Sequence, residues 1–460
     1  MQSLYLKSIS PLDGRYKKIT QGVSKIFSEY GFIKYRVIVE VFWLKYLSNI
    51  PEIIELNIFN ENTYEVLNKI IKKFNLHDAK KIKNIEKKTN HDLQAIILFL
   101  KKKIKKIKNS KKIAEFIHFS CTSEDINNLA YALMLKKAKE KYILPYWKKI
   151  IQEMDNMANK YRKDVILSRT HGQPATPSTM GKEMANFSYR FKRQIKQLKK
   201  IKILGKFNGA VGNYNAHVFA YPNLNWEEIN HNFVKSLNIY WNPYTTQIES
   251  HDYISEFFLC ILRFNVILID FNRDIWGYIS LKYFIQKINI EETGSSTMPH
   301  KVNPIDFENS EGNLGISNTL IQHFSSKLPI SRWQRDLSDS TVLRNLGSII
   351  SYSLISYYFT LSGIKKIKIY KKYLLKDLKK NWQVLLEPIQ VIMKKNGIKN
   401  SYEKVKKLFR GKKVNFKIIK KFIKKLDISD SEKNRLYNLT PLNYVGYSID
   451  LAKKIKLYKY

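Results

Sequence analysis

Two long intervals without proline constrain the fold of this chain more than any other feature of its sequence. No proline occurs between Pro177 and Pro222 or between Pro243 and Pro299, so long helices are permitted across both intervals. In the second interval apolar residues recur at spacings of three and four, which is the helical period. These residues are Ile254, Phe257, Phe258, Ile261, Leu262, Val266 and Ile269. The pattern predicts a long and heavily buried helix.

Helical patterns also dominate elsewhere in the chain. One runs from Asn127 to Tyr161, interrupted by Pro145, and another runs from Gly181 to Leu204 before Gly205 ends it. Strand-like alternation is scarce, so the predicted class is mainly α, with a central bundle of long helices. Several of the central helices are apolar on more than one face, which predicts burial between subunits as well as within one.

The chain of 460 residues is too long for one ordinary core, which predicts several domains. We expect an N-terminal helical domain over residues 1–111, the long-helix bundle over residues 112–364 and a C-terminal helical domain over residues 365–460. The boundaries follow the change from shorter helical patterns to longer ones and back.

The cysteine count and the apolar stretches indicate the cellular compartment of the protein. The chain has two cysteines, Cys121 and Cys260, far apart and without a partner motif, so neither a disulfide framework nor a cysteine metal site is expected. Residues 1–10 show no apolar core of a signal peptide. Residues 257–269 form the most apolar stretch, which Arg263 interrupts and which is too short for a membrane span. We expect a cytoplasmic protein with no membrane partner.

The formal net charge of +42 is the feature that points toward a different class of protein, because such a field attracts nucleic acid and anionic surfaces. The lysines, however, are spread through tracts such as residues 101–112 and 404–425, interleaved with Ile, Phe and Leu. No helix-turn-helix, zinc-finger or RNP-type signature accompanies them. We interpret the tracts as solvated faces and predict no specific nucleic-acid partner. A polyanion-binding protein built on the same scaffold remains the alternative.

The segment Gly294-Ser295-Ser296-Thr297-Met298-Pro299-His300-Lys301-Val302-Asn303-Pro304 concentrates polar donors. Two prolines, adjacent small hydroxyls, a lysine and an asparagine are incompatible with a helix interior, so a loop is expected. A serine in such a loop can approach a substrate closely. Backbone N–H groups, together with Lys301 and Asn303, can stabilise negative charge there.

Histidine 171 lies in a second segment of this kind, Ser168-Arg169-Thr170-His171-Gly172-Gln173-Pro174-Ala175-Thr176-Pro177. Its glycine and two prolines predict another loop, followed by a long helix. A histidine in such a loop is accessible to solvent and able to exchange protons near neutral pH.

Two further regions combine polar groups at close spacing. Residues 89–92 read Thr-Asn-His-Asp, and residues 122–125 read Thr-Ser-Glu-Asp, which is a good helix start with a capping box. Residues 331–336 and 340–345 combine arginines with hydroxyls, a pairing that suits phosphate and that also occurs in structural ion pairs. Neither a Walker loop, nor a dinucleotide fingerprint, nor a metal-ligand spacing is present, so no cofactor and no metal are predicted.

Residues 295–304 resemble the signature of the fumarase/aspartase superfamily, Ser-Ser-x-Met-Pro-x-Lys-x-Asn-Pro, at every fixed position. The resemblance implies abstraction of a proton next to a carboxylate, followed by loss of the β substituent as fumarate forms. It makes the first serine of the pair, Ser295, the base. A serine hydroxyl is a weak base at neutral pH, so its alkoxide must be favoured by nearby N–H dipoles and a cation such as Lys301.

Several motifs together are similar to those of bacterial adenylosuccinate lyases. Residues 170–177 fit the pattern Thr-His-Gly-Gln-x-Ala-x-Pro of that family, and residues 10–16, 89–92 and 333–336 fit further parts of it. The resemblance implies that His171 protonates the departing nitrogen, a step that elimination of an amine requires because an anionic amide is a very poor leaving group. His91 is the alternative acid. Another fumarate-releasing lyase of the superfamily is the alternative activity.

The same resemblance implies the substrates, the assembly and the binding residues. The substrates would be succinylated purine nucleotides, namely adenylosuccinate and the succinyl-carboxamide ribotide of purine synthesis, with no cofactor. The assembly would be a homotetramer in which motifs from three subunits build each active site. The substrate-binding residues implied are Arg15, Tyr16, Asn90, His91, Asp92, Thr122, Ser123, Gln247, Ser296, Lys301, Asn303, Asn309, Arg335, Ser340, Thr341 and Arg344.

Overall fold

Helices dominate the computed structural model of the chain, which describes residues 6–56, 58–287 and 296–460. The mainly α class is thereby confirmed. The α-helices up to residue 160 are α1 (Lys17–Phe27), α2 (Glu29–Leu47), α3 (Glu61–Lys72), α4 (Leu76–Thr89), α5 (Asp92–Lys103), α6 (Ser110–Glu115), α7 (Ser123–Ala138) and α8 (Leu144–Lys160).

The remaining helices include the longest in the chain. They are α9 (Met180–Lys200), α10 (Asn215–Ala220), α11 (Trp226–Ser236), α12 (Asp252–Ser280), α13 (Ile305–Lys327), α14 (Ser338–Leu343), α15 (Leu346–Lys366), α16 (Lys371–Lys380), α17 (Leu386–Lys395), α18 (Ser401–Phe409), α19 (Phe416–Lys424), α20 (Asp430–Tyr437) and α21 (Ser448–Lys454). Short 3-10 turns cover Trp382–Leu385 and Ile455–Leu457.

The strands are short and pair two by two. Strands β1 (Val165–Thr170) and β2 (Gln173–Thr179) form an antiparallel hairpin, β3 (Leu204–Gly205) pairs in parallel with β4 (Tyr240–Trp241), and β5 (Phe284–Gln286) pairs in antiparallel with β6 (Ile367–Ile369).

Contacts divide the chain into two compact units. The first unit comprises Met1–Tyr146, Gln197–Val266 and Gly312–Tyr358. The second comprises Trp147–Lys196, Ile267–Glu311 and Phe359–Tyr460. The division into domains at residues 111/112 and 364/365 stays a prediction.

The long proline-free helices form as expected. Helix α12 runs for 29 residues, and Phe257, Phe258 and Ile261 on it are buried. The predicted burial of Val266 was wrong, since this residue is 50% exposed. The predicted interruption at Pro145 is a π-helical turn at Lys139–Ile143, after which helix α8 begins. Widening the turn before a proline is a means of accommodating the ring and its missing N–H.

The predicted end of helix α9 was wrong. The helix ends at Lys200 rather than at Leu204, and Leu204 and Gly205 form strand β3 instead. In β3 the Cβ position of Gly205 lies 2.5 Å from a methyl carbon of Leu129, which leaves no room for a side chain. Close packing on helix α7, rather than helix termination, therefore explains the glycine.

Buried polar side chains fix the register of helices in each unit. In the first unit Asn265 Nδ2 donates to Asn318 Oδ1 and to Ser353 Oγ, both at 3.1 Å. In the second unit Asn272 Nδ2 donates to Ser310 Oγ at 2.9 Å, and Ser310 Oγ lies 2.8 Å from Thr360 Oγ1. Because each buried group has its partner at only one alignment, sliding a helix by one turn would leave several groups unpaired.

The second unit also contains the apolar core of the C-terminal helices. That cluster comprises Leu167, Leu378, Val384, Leu385, Ile389, Met393, Val405, Phe409, Val414, Ile419, Ile423, Leu426 and Leu436. Leu167 belongs to strand β1, so the hairpin packs directly on this core. Among the helices of the described ranges, none combines the length and apolar character needed to cross a bilayer.

Candidate active site

The N-terminus of helix α7 carries the predicted carboxylate-binding hydroxyls. Thr122 is the N-cap, and its N–H donates to Asp125 Oδ2 at 2.8 Å, which is the predicted capping box. Thr122 and Ser123 are half-buried. A helix start has unpaired N–H groups and a positive partial charge, so two hydroxyls at this position suit an anion such as a carboxylate.

A buried ion pair holds that helix start in place. Lys206 Nζ lies 2.9 Å from Asp125 Oδ1 and donates to the carbonyl of Gly209 at 3.0 Å. Asp125 also accepts from the N–H of Asn208 at 3.0 Å and from that of Gly209 at 3.2 Å. A carboxylate that binds one ammonium and three backbone N–H groups locks the loop at residues 206–209 onto the start of helix α7.

Arg335 and Gln247, both implied by the family resemblance, meet in the structure. Arg335 Nη1 donates to Gln247 Oε1 at 3.1 Å, and Gln247 Nε2 donates to the carbonyl of Ala210 at 3.2 Å. Arg335 Nη2 lies 2.9 Å from Oε1 of the buried Glu124. Asn127 Nδ2 donates to the same carboxylate oxygen at 2.7 Å. The guanidinium is therefore oriented by two partners at once.

These groups line an open pocket of 460 Å³ within the first unit. Its lining residues are Ala210, Val211, Gln247, Arg332, Trp333, Gln334, Arg335, Asp336 and Leu337. Trp333 has a left-handed backbone with φ of 50° and is 93% exposed. The volume lies in the range of small-molecule sites, about 300–1,000 Å³.

Asp92 and Arg344 meet in a second group of predicted residues. Asp92 Oδ2 lies 2.7 Å from the buried Arg36 and 3.3 Å from Arg344. Burial alone would raise the pKa of Asp92, but Arg36 and Arg344 hold it below its usual value. His91 caps helix α5, since its Nδ1 accepts the N–H of Gln94 at 3.2 Å. Because Nδ1 is an acceptor, Nε2 is the ring nitrogen left to donate a hydrogen bond.

The other predicted residues of the first unit lie on turns or on short helices. Asn90 ends helix α4 in the left-handed conformation, and Arg15 is exposed, with its guanidinium carbon 6.0 Å from the Tyr16 ring centroid. Ser340 is half-buried and Thr341 exposed on helix α14. A cavity of 160 Å³ lined by residues 12–13 and Arg344 brings the segment before Arg15 next to this group.

The segment around His171 is a hairpin, so the predicted simple loop was wrong. Strands β1 and β2 are joined by the two residues His171 and Gly172, with φ values of 52° and 72°. Positive φ at both positions is what a tight two-residue hairpin turn requires. Pro174 and Pro177 lie in strand β2 rather than in a coil, and a bulge lies between Leu167 and Arg169. His171 is exposed at the tip.

Ser295 lies outside the described residues, which resume at Ser296. Ser296 and Lys301 are exposed, and the N–H of Lys301 donates to the carbonyl of Met298 at 3.0 Å, forming a turn. Asn303 and Asn309 are half-buried, the latter on helix α13. Gln286 Nε2 donates to the carbonyl of Val302 at 2.7 Å, which ties this segment to strand β5.

The structure thus joins Gln247 to Arg335 and Asp92 to Arg344, and it sets Thr122 and Ser123 on one helix start. It also adds three residues that sequence reasoning did not single out as part of the site, namely Glu124, Lys206 and Arg36. Glu124 stands beside Ser123 in the same motif, which could have pointed to it. Lys206 and Arg36 have no local signal, because their partners are distant in the sequence.

The fold and the signature segment define the class of protein. Residues 14–316 match the family model described as Lyase. The chain resembles the solved structure of a fumarate lyase from Mesorhizobium sp. BNC1, with a TM-score of 0.77 and 15% identity over 95% of this chain and 97% of that one. It also resembles the 3-carboxy-cis,cis-muconate lactonizing enzyme of Pseudomonas putida, with a TM-score of 0.74 and 16% identity over 95% and 96% of the two chains.

The particular family follows from closer relatives. Residues 331–445 match the family model described as adenylosuccinate lyase C-terminal. The chain is 58% identical to an adenylosuccinate lyase of Buchnera aphidicola subsp. Acyrthosiphon pisum, over 99% of this chain and 100% of that protein. It is 55% identical to those of Escherichia coli K12 and Haemophilus influenzae, again over 99% and 100% of the two chains. The chain belongs to the adenylosuccinate lyase family of the fumarase/aspartase superfamily, and these matches do not favour the polyanion-binding alternative.

Proposed function

We propose that this chain catalyses the β-elimination of fumarate from adenylosuccinate, giving AMP. The same elimination from succinyl-aminoimidazole carboxamide ribotide would give the carboxamide ribotide, and both belong to purine synthesis. The observation that carries the proposal is the full-length identity to adenylosuccinate lyases, together with an unbroken superfamily signature at residues 295–304. Members of such a family are carbon–nitrogen lyases.

Ser295 is assigned the role of base. It removes the proton next to the carboxylate of the succinyl group, and the carbanion that forms spreads its charge into that carboxylate. Thr122 and Ser123 at the start of helix α7 are suited to hold a substrate carboxylate, because hydroxyls and helix N–H groups stabilise developing negative charge. Lys301 supplies the cation that favours the serine alkoxide.

His171 is assigned the role of acid. Its exposed position at the hairpin tip leaves the ring accessible, and a histidine can deliver a proton to the departing nitrogen near pH 7. His91 is the alternative acid. Its Nδ1 is already an acceptor within helix α5, so only Nε2 is available to a substrate.

The nucleotide portion is assigned to the two arginine groups. Arg335 with Gln247 lines the 460 Å³ pocket, and Arg344 belongs to the second group. The family resemblance assigns Ser340, Thr341, Arg15 and Tyr16 to the nucleotide as well. In the structure these guanidinium groups pair with carboxylates, Arg335 with Glu124 and Arg344 with Asp92. A phosphate offers three strong acceptor oxygens, which suits a guanidinium already held in one orientation.

A homotetramer with shared active sites and a cytoplasmic location are part of the same proposal. Helix faces of the first unit support an assembly: Val266 on α12 and Ile316 on α13 are about half exposed. Gly312 and Gly315 on α13 have nothing within 4 Å of an added Cβ. Small and apolar residues on one helix face permit close approach of another helix. Native mass spectrometry of the purified chain tests this, and a monomer would contradict it.

The deciding experiment follows fumarate release from adenylosuccinate by the purified chain and by Ser295→Ala. We expect turnover by the unmodified chain and a loss of kcat of at least about a hundredfold in the variant, since the base is removed. The matched control is Ser326→Ala, whose exposed hydroxyl donates to two backbone carbonyls of its own helix. Absence of fumarate from the unmodified chain would refute the proposed function.

A further inference from the structure

Three side chains of the second unit meet beside the hairpin that carries His171. Arg169 Nη1 donates to the hydroxyl of Tyr283 at 2.7 Å, and Arg169 Nη2 lies 2.5 Å from Asp377 Oδ2. The hydroxyl of Tyr283 donates to the same oxygen of Asp377 at 2.6 Å. Each pair among the three is therefore hydrogen bonded, and we refer to them as the Arg169–Tyr283–Asp377 triad.

The triad is largely shielded from water. Tyr283 is 1% exposed, and the side chains of Arg169 and Asp377 are about a quarter exposed. Burial raises the pKa of Tyr283, and the hydrogen bond to Asp377 raises it further, so the hydroxyl stays a donor at neutral pH. A planar guanidinium that makes two directed hydrogen bonds is fixed in angle as well as in distance.

Arg169 and Tyr283 lie on segments of the chain that lead toward the proposed catalytic groups. Arg169 lies on strand β1 two positions before His171, just after the bulge that interrupts the hairpin register. Tyr283 directly precedes strand β5, and its carbonyl accepts the N–H of Tyr370 at 2.9 Å. The end of that strand is tied to Val302 of the signature segment through Gln286. Asp377 lies on helix α16.

A two-stranded hairpin is marginally stable by itself, so its tip needs an anchor to hold a group at a fixed place. Within the described residues, side chains of the hairpin strands make two polar contacts with the C-terminal helices. One is the triad, which lies near the tip because Arg169 pairs with Pro174, and the other is the hydrogen bond from Thr176 Oγ1 to Glu387 Oε2 at 2.5 Å. Asp164, directly before strand β1, adds an ion pair with Lys371 at 3.2 Å. Of these contacts, the triad is the one that includes Tyr283, which precedes strand β5 and is thereby linked to the signature segment.

We propose that Arg169, Tyr283 and Asp377 are positioning residues that hold the His171 hairpin in register with the strand entering the signature segment. In this role the three residues act through the hairpin and the signature segment rather than by contacting the substrate. The inference rests on the proposed function, because it assumes that His171 and Ser295 carry the proton transfers. It extends that function by naming a shared support for the acid and the base in one subunit.

The test compares Tyr283→Phe and Asp377→Asn with the unmodified enzyme in steady-state turnover of adenylosuccinate. We expect kcat to fall about tenfold to a hundredfold, as displacement of a catalytic group by ~1 Å does. We expect KM, the Kd for AMP and the Tm to stay unchanged, because no substrate contact and no large buried surface is lost. The control is Glu432→Gln, a residue of the same unit paired with Lys395 and Arg435, which should leave kcat unchanged.

The double variant Tyr283→Phe/Asp377→Asn should have a kcat no lower than that of the more impaired single variant. The reason is that the effects of residues acting as one unit do not add. Full kcat in Tyr283→Phe and Asp377→Asn overturns the proposal. A loss of kcat accompanied by a matching loss of Tm also overturns it, since the triad would then serve stability alone. If the unmodified chain is inactive, the proposed function is refuted. If the unmodified chain and the variants are all fully active, only the positioning role of the triad is refuted.

Discussion

The ammonium group of Lys206 lies 2.9 Å from Asp125 Oδ1, and both side chains are completely buried. This pair stands directly behind Thr122 and Ser123, the hydroxyls proposed to hold a substrate carboxylate. Bringing two charges out of water is costly, and their mutual attraction offsets that cost only when the remaining polar atoms are satisfied. Asp125 meets that condition through the N–H groups of Thr122, Asn208 and Gly209.

Lys206→Met should therefore be strongly destabilising. The substitution keeps the side-chain volume but leaves the Asp125 carboxylate buried without its cation, which is expected to lower the free energy of unfolding by about 3–5 kcal/mol. Urea denaturation measures the change. The control is Lys69→Met, which breaks the exposed ion pair with Glu65 on helix α3 and should have a far smaller effect. Similar losses in both variants would show that the buried ion pair contributes no more to the free energy of unfolding than the exposed one.

Arg335→Lys should weaken substrate binding more than it slows the chemical step. Lysine carries the same charge, but it cannot donate from two nitrogens to Glu124 and Gln247 at once. Loss of one charged hydrogen bond of about 1.5 kcal/mol corresponds to a KM raised roughly tenfold. Arg435→Lys is the control, because Arg435 is 66% exposed, pairs with Glu432 at 3.0 Å and lines no part of this pocket. An equal rise of KM in the control would show that the effect does not depend on the hydrogen bonds of Arg335 to Glu124 and Gln247.

The two histidines can be separated by His171→Gln and His91→Gln. If His171 is the acid, its variant should lose kcat by about a hundredfold to ten-thousandfold, the usual contribution of a general acid, and should also lose the basic limb of the pH profile. His91→Gln should mainly raise KM, because the family resemblance makes His91 a substrate-binding residue, and the substitution also removes the Nδ1 cap of helix α5. The opposite pattern in kcat would exchange the two roles.

His217 should make the fold sensitive to mild acid. The ring is fully buried among Trp43, Tyr214 and Trp226, and burial lowers the pKa of His217 to about 4. Between pH 6.5 and pH 4 the unfolded chain binds a proton that the folded chain does not, so stability falls as the pH falls.

In His217→Phe the loss of stability between pH 6.5 and pH 4 should be smaller by roughly 3 kcal/mol, the linkage expected from that shift. Guanidinium titrations at several pH values measure the free energy of unfolding in both proteins. Parallel pH dependences in the variant and the unmodified chain would contradict the assignment to His217.

Local patterns in the sequence account for much of the fold. Helix α12 follows from apolar residues at the helical period and from the absence of proline, and the start of helix α7 follows from the capping box at Thr122. The hairpin at His171 was not predicted from the sequence, because Pro174 and Pro177 are typical of coil. They are tolerated in strand β2 because it belongs to an isolated two-stranded sheet, in which a strand has an unpaired side.

The site was predictable where motifs are contiguous and not where it depends on distant partners. The signature at residues 295–304 and the arginine segment around Arg335 are local and could be recognised. The contact of Arg335 with Gln247, and that of Lys206 with Asp125, join residues far apart in the chain. No periodicity encodes such contacts, because they depend on how the helices and loops pack in three dimensions.

If His171 is the acid, the left-handed turn at this residue sets the stability of the protein and its activity against each other. Asparagine followed by glycine is the pair that a tight two-residue turn favours, and position 171 holds a histidine with φ of 52° before Gly172. A library screened only for heat resistance would be expected to enrich His171→Asn and to yield robust proteins that no longer release fumarate. Engineering this enzyme for durability therefore requires an activity screen at every round.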